Sequence, residues 1–250
     1  MLIEFAGKTV VVTGAARGIG AAIARGFAER GAAVWACDMA ADALATLGAG
    51  IATRVVDVAD EAAMSAFVRE AEAASGHVDI LVHVAGGVRG KRKLPIEDVT
   101  SRDWLDIYDA NVMGAFNAAR AAVPGMKRAG GGRIVVIASR AGMGVSLTGI
   151  QSYASAKAAQ LGLVRQLAHE LGPSGITVNA VAPGFMPTSP DYERQWSGYG
   201  EDGQKALIDR TPMRRLGKPE EIAYAVMFLA SPYAGFVNGQ VLPVTGGPQG

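Results

Sequence analysis

The segment Thr13-Gly14-Ala15-Ala16-Arg17-Gly18-Ile19-Gly20 joins an apolar run, residues 9–13, to a stretch, 19–30, whose apolar residues recur at helical spacing. Three glycines at a strand-to-helix junction allow a tight turn. They also let backbone N–H groups and the positive end of the helix approach an anion such as a pyrophosphate. Glycine makes up 33 of the 250 residues, so the pattern draws its weight from its surroundings. A second apolar run, 33–37, follows the helix and ends on Asp38.

The same alternation continues along the chain. Further candidate strands lie at 52–56, 80–84, 133–138, 177–181 and 241–244, and further candidate helices at 61–74, 104–128, 153–171 and 219–230. Nearly uninterrupted apolar strands that alternate with helices predict an α/β fold, a doubly wound parallel sheet of about seven strands covered on both faces. No charge block or low-complexity stretch divides the chain, so one domain over residues 1–250 is expected. The exception is 183–216, rich in Gly, Pro, Ser and charge, which reads as an irregular insertion forming a mobile lid or binding loop.

Composition narrows the functional classes. Hydrophobic residues are 50% and charged residues 19%, enough to bury a core. A net charge of +1 gives no overall pull towards nucleic acid or acidic membranes. The lone Cys37 leaves no disulfide framework or multi-cysteine zinc site, and His77, His83 and His169 lack metal spacing, so no metal is expected. Residues 1–8 lack the charged and apolar regions of a signal peptide, and no apolar run is long enough to span a bilayer; a soluble cytoplasmic protein is the expectation.

At the end of the second strand, the Asp38 carboxylate is placed to accept hydrogen bonds from adenosine ribose hydroxyls and to repel a 2′-phosphate, which favours NAD over NADP. Its alternative is a helix N-cap. Arg17 argues the other way, as a cation able to hold the extra phosphate of NADP, unless it is a solvated surface charge.

Tyr153 and Lys157, four apart in a helical stretch, share one face, and Ser139 lies just past the strand at 133–138, at the sheet edge where open α/β folds bind ligands. Taking a proton from an alcohol needs a base. Bringing a phenol from about 10 to near 7 costs about 4 kcal/mol, which one ammonium at about 4 Å supplies in an effective dielectric near 20. Burial opposes this, so the lysine must win. A serine hydroxyl then holds the substrate oxygen.

Taken in order, Thr13–Gly20, Asp57-Val58, Asn111, Ser139, Tyr153, Lys157, Asn179-Ala180-Val181-Ala182-Pro183-Gly184 and the terminal Gly239-Gln240 and Gly246-Gly247 resemble the short-chain dehydrogenase/reductase family over nearly the whole chain. The resemblance implies a hydride transfer between NAD or NADP and a secondary alcohol or ketone. It makes Tyr153 the general acid/base, Ser139 the group that positions the substrate oxygen, Lys157 the ligand of the nicotinamide ribose, and Asn111 the holder of a proton-relay water. Read without the resemblance, Asn111 is a solvent-facing helix residue. Cofactor contacts are implied for Gly14, Arg17, Gly18, Ile19, Gly20, Asp38, Asp57, Val58, Ala85, Gly86, Tyr153, Lys157, Pro183, Gly184 and Thr188. A homotetramer through the helices at 104–128 and 153–171 is also implied.

Three positions depart from the family's pattern. His83-Val84-Ala85-Gly86 stands where Asn-Asn-Ala-Gly is usual, putting contacts near the nicotinamide ribose in doubt. Thr245 replaces a common Asp, and Arg140 follows Ser139 where a small residue is usual. The run Arg89-Gly90-Lys91-Arg92-Lys93, with Arg140, is either a solvated loop or the recognition site for an anionic substrate. Phe185 and the aromatics Tyr192, Trp196 and Tyr199 in the insertion either close over a substrate or pack on another subunit. Two other readings stand beside the NAD-linked alcohol dehydrogenase: an NADPH-dependent carbonyl reductase, such as a 3-oxoacyl thioester reductase, and a non-catalytic dinucleotide-binding scaffold, for which only His83-Val84 speaks.

Overall fold

Seven apolar segments pair side by side in a computed structural model that describes residues 3–248. The strands are β1 (Thr9–Thr13), β2 (Ala33–Asp38), β3 (Ile51–Val55), β4 (Ile80–His83), β5 (Gly132–Ile137), β6 (Ile176–Pro183) and β7 (Val241–Val244). They form one all-parallel sheet in the order β3-β2-β1-β4-β5-β6-β7. Each lies within a residue or two of its expected place. Residues 1–2 and 249–250 of the expected 1–250 unit lie outside the described residues.

Alternate strand residues feed two cores. Val10, Val12, Ile80, Val82, Val135 and Ile137 pack with Ile23 and Phe27 of α1 (Gly18–Ala28) and Ile222 and Val226 of α9 (Pro219–Ala230). Val11, Leu81, Ile134 and Val136 pack on the other face with Met64 and Phe67 of α3 (Glu61–Ser75), Ala118 of α5 (Gly114–Ala129) and Leu161 of α6 (Gln151–Leu171). Helices on both faces are what make strands apolar in both directions. Burying one such side chain contributes about 1.5–3 kcal/mol.

Two expected elements differ. The helix at 104–128 is two helices: α4 (Ser101–Tyr108), with the Thr100 hydroxyl accepting from the Asp103 N–H at its start, and α5. Between them lies a π-helical turn, Asp109–Met113, whose wider hydrogen-bonded ring rotates Asn111 to the inside. The insertion is not irregular. Pro190 and Gly200 open two helices, α7 (Pro190–Gly198) and α8 (Gly200–Arg210), and the Pro/Gly content that suggested a loop marks their starts. A short α2 (Ala41–Leu44) follows β2. No helix among the described residues is long and apolar enough to cross a membrane.

Strand order reverses between β1 and β4, whose following connections leave in opposite directions. That opens a crevice at the carboxyl ends of the strands. The far edge is held by a buried amide: Asn179 on β6 donates to the Val237 carbonyl at 2.8 Å and accepts from the Gln240 N–H at 3.0 Å, fixing the turn into β7. Asn179→Ala strands both backbone groups. We expect a loss of about 1–3 kcal/mol, read as a lower urea midpoint with an unchanged slope.

Candidate active site

A cleft of about 550 Å³ occupies the crevice. Every residue assigned from the sequence to cofactor, catalysis or substrate lines it except Gly18 and Asn111. Gly18 instead lies against Thr188: with φ +52, a Cβ there would come 2.5 Å from the Thr188 carbonyl oxygen. Gly20 packs so closely on the turn that a Cβ would fall 2.0 Å from the Gly14 carbonyl oxygen.

At one end of the cleft α1 begins with no side-chain cap and no acid in its first turn, leaving N–H groups open to an anion. Asp38 stands beside it, its two oxygens accepting from the Ala16 N–H and the Ala40 N–H, each at 3.1 Å. These bonds hold the carboxylate still and leave it lone pairs for ribose hydroxyls. Asp57 accepts from the Ala59 N–H at 3.0 Å, which fixes its turn beside the same end. Open helix N–H groups at the turn and a fixed acid beyond it suit the pyrophosphate and ribose of a dinucleotide.

At the other end, Ser139 ends the chain's run out of β5, its hydroxyl accepting from the Ala141 N–H at 3.1 Å. Tyr153 is buried at the start of α6. Burial pushes its phenol above the usual range, while hydrogen bonds with the side chains of Ser139 and Tyr192 pull it back. Lys157, one turn on, is only 3% exposed, and burial alone brings its ammonium down to about 7. It donates to the Ile137 carbonyl at 2.9 Å and to Gln160 Oε1 at 3.0 Å. Its Nζ lies 5.9 Å from the Tyr153 ring centre, where a full charge is worth roughly 3 kcal/mol at an effective dielectric of about 20. That is less than the sequence reading required, because the two side chains are further apart than 4 Å.

Asn111 is fully buried, not solvent-facing. Its side chain clamps the turn after β4, accepting from the Gly87 N–H at 3.0 Å and donating to the Gly87 and Ile107 carbonyls at 2.9 and 2.8 Å. Gly86 has no room for a side chain there, since a Cβ would fall 2.4 Å from Asn111 Oδ1. The turn that begins at His83 is held by Thr13. The Thr13 hydroxyl accepts from the Val84 and Ala85 N–H groups at 3.2 and 3.3 Å and meets His83 Nδ1 at 3.0 Å. With its lone pairs engaged, Thr13 donates to Nδ1, which puts the ring proton on Nε2. Burial, then the positive Lys157, hold His83 down to about 3, so the ring is neutral at working pH.

The basic loop is partly neutralised, through Lys91, while Arg92 and Lys93 are exposed. Lys91 is bonded to Asp103 and Asp106 at 2.6 and 2.9 Å, and Arg89 leans on the Met39 sulfur, next to Asp38 at the nucleotide end. Arg140 remains in the cleft beside Ser139. Sequence reasoning missed Gln160 and placed Tyr192 only among lid aromatics. Gln160 lies three residues after Lys157 and so on its helix face; a polar side chain there, among Ala156, Leu161 and Val164, was the available signal. Tyr192 reaches Tyr153 only because α7 folds back over the cleft, where Phe185 also packs edge-on against it.

A family model described as enoyl-(acyl carrier protein) reductase matches residues 14–249. The chain is 39% identical over 249 residues to the 3-oxoacyl-[acyl-carrier-protein] reductase FabG of Escherichia coli K12, covering 98% of each. It is 38% identical to (2S)-[(R)-hydroxy(phenyl)methyl]succinyl-CoA dehydrogenase subunit BbsD of Thauera aromatica, covering 96% of each. A solved 7α-hydroxysteroid dehydrogenase, complexed with NADH and 7-oxo glycochenodeoxycholic acid, superposes with a TM-score of 0.88 at 38% identity over 98% of this chain and 95% of that one. The chain belongs to the short-chain dehydrogenase/reductase family. It is an oxidoreductase that transfers hydride between a nicotinamide cofactor and an alcohol or ketone.

The buried imidazole ties stability to pH. Its folded value of about 3 lies below the roughly 6.5 of an unfolded histidine, so between these the unfolded chain binds the extra proton. The contribution is complete above about 6.5 and is lost as pH falls towards 3, by up to about 1.4 kcal/mol per pH unit. Urea unfolding at a series of pH values should show this slope in the natural chain. The curve of His83→Asn, which lacks the titrating group, should lose it, so that the difference between the two curves isolates the slope.

Proposed function

We propose that the chain works as one dinucleotide-binding and catalytic domain, using NAD(H) to interconvert a small secondary alcohol and its ketone. The observation that carries this reading is the convergence of Ser139, Tyr153 and Lys157 at one end of a single cleft whose other end holds Asp38. The bound nicotinamide supplies the hydride acceptor or donor.

In the oxidation direction, Tyr153 takes the hydroxyl proton as the carbinol hydrogen leaves, and in reduction it returns that proton to the substrate oxygen. Ser139 holds that oxygen by hydrogen bonding. Lys157, charged, favours the phenolate form of Tyr153 and keeps one N–H for a ribose hydroxyl after its bonds to Ile137 and Gln160. Asn111 fixes the turn at Gly86–Gly87 that lines the cleft, and its backbone carbonyl faces the buried lysine network. Phe185, before α7, and Tyr192, on it, exclude water from the reacting end.

A fixed carboxylate at Asp38 supports NAD over NADP, since a 2′-phosphate would meet a negative charge already held by two backbone N–H groups. The second reading, an NADPH-dependent carbonyl reductase, draws on two guanidinium groups, Arg17 and Arg89, lining the same end. Exposed Leu105, Met113 and Phe116 along α4, the π turn and α5 support assembly as a homotetramer; a light-scattering mass of one subunit would overturn it.

Two measurements test the reading. Fluorescence titration should give an NADH dissociation constant at least about tenfold below that of NADPH, and Asp38→Ala should narrow the gap. The opposite order selects the second reading. Tyr153→Phe should lower kcat/KM for any alcohol the natural chain oxidises by about 10²–10⁴-fold while leaving NADH binding nearly unchanged.

A further inference from the structure

The lysine network contains a side chain with no role in the reaction as described so far. Gln160 is fully buried, and both ends of its amide are engaged: Oε1 accepts from Lys157 Nζ at 3.0 Å, and Nε2 donates to the Asn111 backbone carbonyl at 2.8 Å. Chemistry fixes the orientation. An ammonium only donates and a carbonyl only accepts, so the amide fits this gap one way round. We propose that Gln160 is a positioning residue for hydride transfer, its amide bridging Lys157 to the Asn111 carbonyl and so holding the lysine in place and charged beside Tyr153.

This alters the expectation attached to Asn111. The resemblance implied a proton-relay water on it, whereas the connection between Asn111 and Lys157 here is an amide. An amide holds both neighbours by hydrogen bonds but does not hand a proton from one to the other as water does. Its part is therefore electrostatic: the Gln160 and Ile137 carbonyl dipoles both point their negative ends at Lys157 Nζ.

No carboxylate shares that work, because among the described residues Lys157 forms no ion pair. The titratable groups near it are Tyr153, one turn earlier on α6, and His83 on β4, which is neutral. On the π turn and α4, which pack against α6, Arg102 and Asp109 are exposed, and Asp103 and Asp106 are paired with Lys91. The remaining charged neighbour element is the turn Arg140–Gly142, whose Arg140 lines the cleft. β6 carries no titratable side chain. With burial working against the charge and no counter-ion present, the two carbonyls are what favour it.

The inference rests on Tyr153 being the base that Lys157 tunes, so the test reads Tyr153 directly and needs no substrate. The ultraviolet phenolate band of the NAD-saturated protein is titrated, and the Tyr153→Phe curve is subtracted to isolate Tyr153. The same is done in a Gln160→Met background, where methionine keeps the length but not the amide. The Tyr153 midpoint is expected to rise by about one pH unit in Gln160→Met, as the ammonium loses one oriented acceptor. An unmoved midpoint would make Gln160 mere packing and overturn the proposal. Should Gln160→Met not fold, Gln160→Asn keeps an amide but is one methylene too short to bridge Lys157 and the Asn111 carbonyl, and its midpoint must also rise. A natural-chain midpoint at or above 10 is a different failure: it would remove Tyr153 as the base, not Gln160 as the lysine's partner.

Discussion

An ammonium buried without a carboxylate has to be held by oriented carbonyls or lose its charge. Lys157 is in that position, and its partners come from three separate parts of the chain. Ile137 closes β5, Gln160 lies one turn along α6, and through Gln160 the Asn111 carbonyl of the π turn is drawn in. Asn111 in turn clamps the turn that follows β4. The requirement to satisfy one cation thus ties together the ends of two central strands, a helix and a helix break. The reacting end of the cleft takes its shape from that tie.

The same burial sets a balance in the chemistry. Removing water strengthens the attraction of Lys157 for a phenolate, but it also raises the cost of having either group charged. Tyr153 is pushed up and Lys157 down by the same cause. At 5.9 Å from the ring, the lysine attracts a phenolate less than it would at about 4 Å. Hydrogen bonds from Ser139 and Tyr192 to the phenol lower its pKa, so the Tyr153 phenol is tuned by a group of neighbours and not by one ion pair.

Much of this was legible in order along the chain. The glycine turn, Asp38, Ser139 and the Tyr153–Lys157 pair each sit at a local spacing that a parallel α/β sheet brings to one edge, and all of them line the cleft. The misreadings share a cause. Residues 183–216 looked irregular because Pro and Gly were taken as breakers when they are helix starters at Pro190 and Gly200. The basic run at 89–93 reads from the sequence as either a solvated loop or an anion site, and spacing along the chain gives no sign that α4 brings Asp103 and Asp106 back to Lys91. Read alone, Asn111 passes for an ordinary surface residue, and only the family resemblance points inward; the π turn is what places it there.

What the sequence determined by itself was the fold and the set of candidate groups that line its cleft. The fold follows from periodicity, which depends only on covalent geometry and the twofold or 3.6-fold repeat of the backbone, and the candidate groups follow from the ordered motifs that the chain shares with its family. Tertiary structure alone decided how distant groups satisfy one another: that the Gln160 amide reaches the Asn111 carbonyl, that Thr13 orients His83, and that Tyr192 lies against Tyr153. These contacts join residues up to 70 positions apart or more, and hydrogen-bond capacity in a dry interior must be met by whichever groups the folded chain brings within about 3 Å.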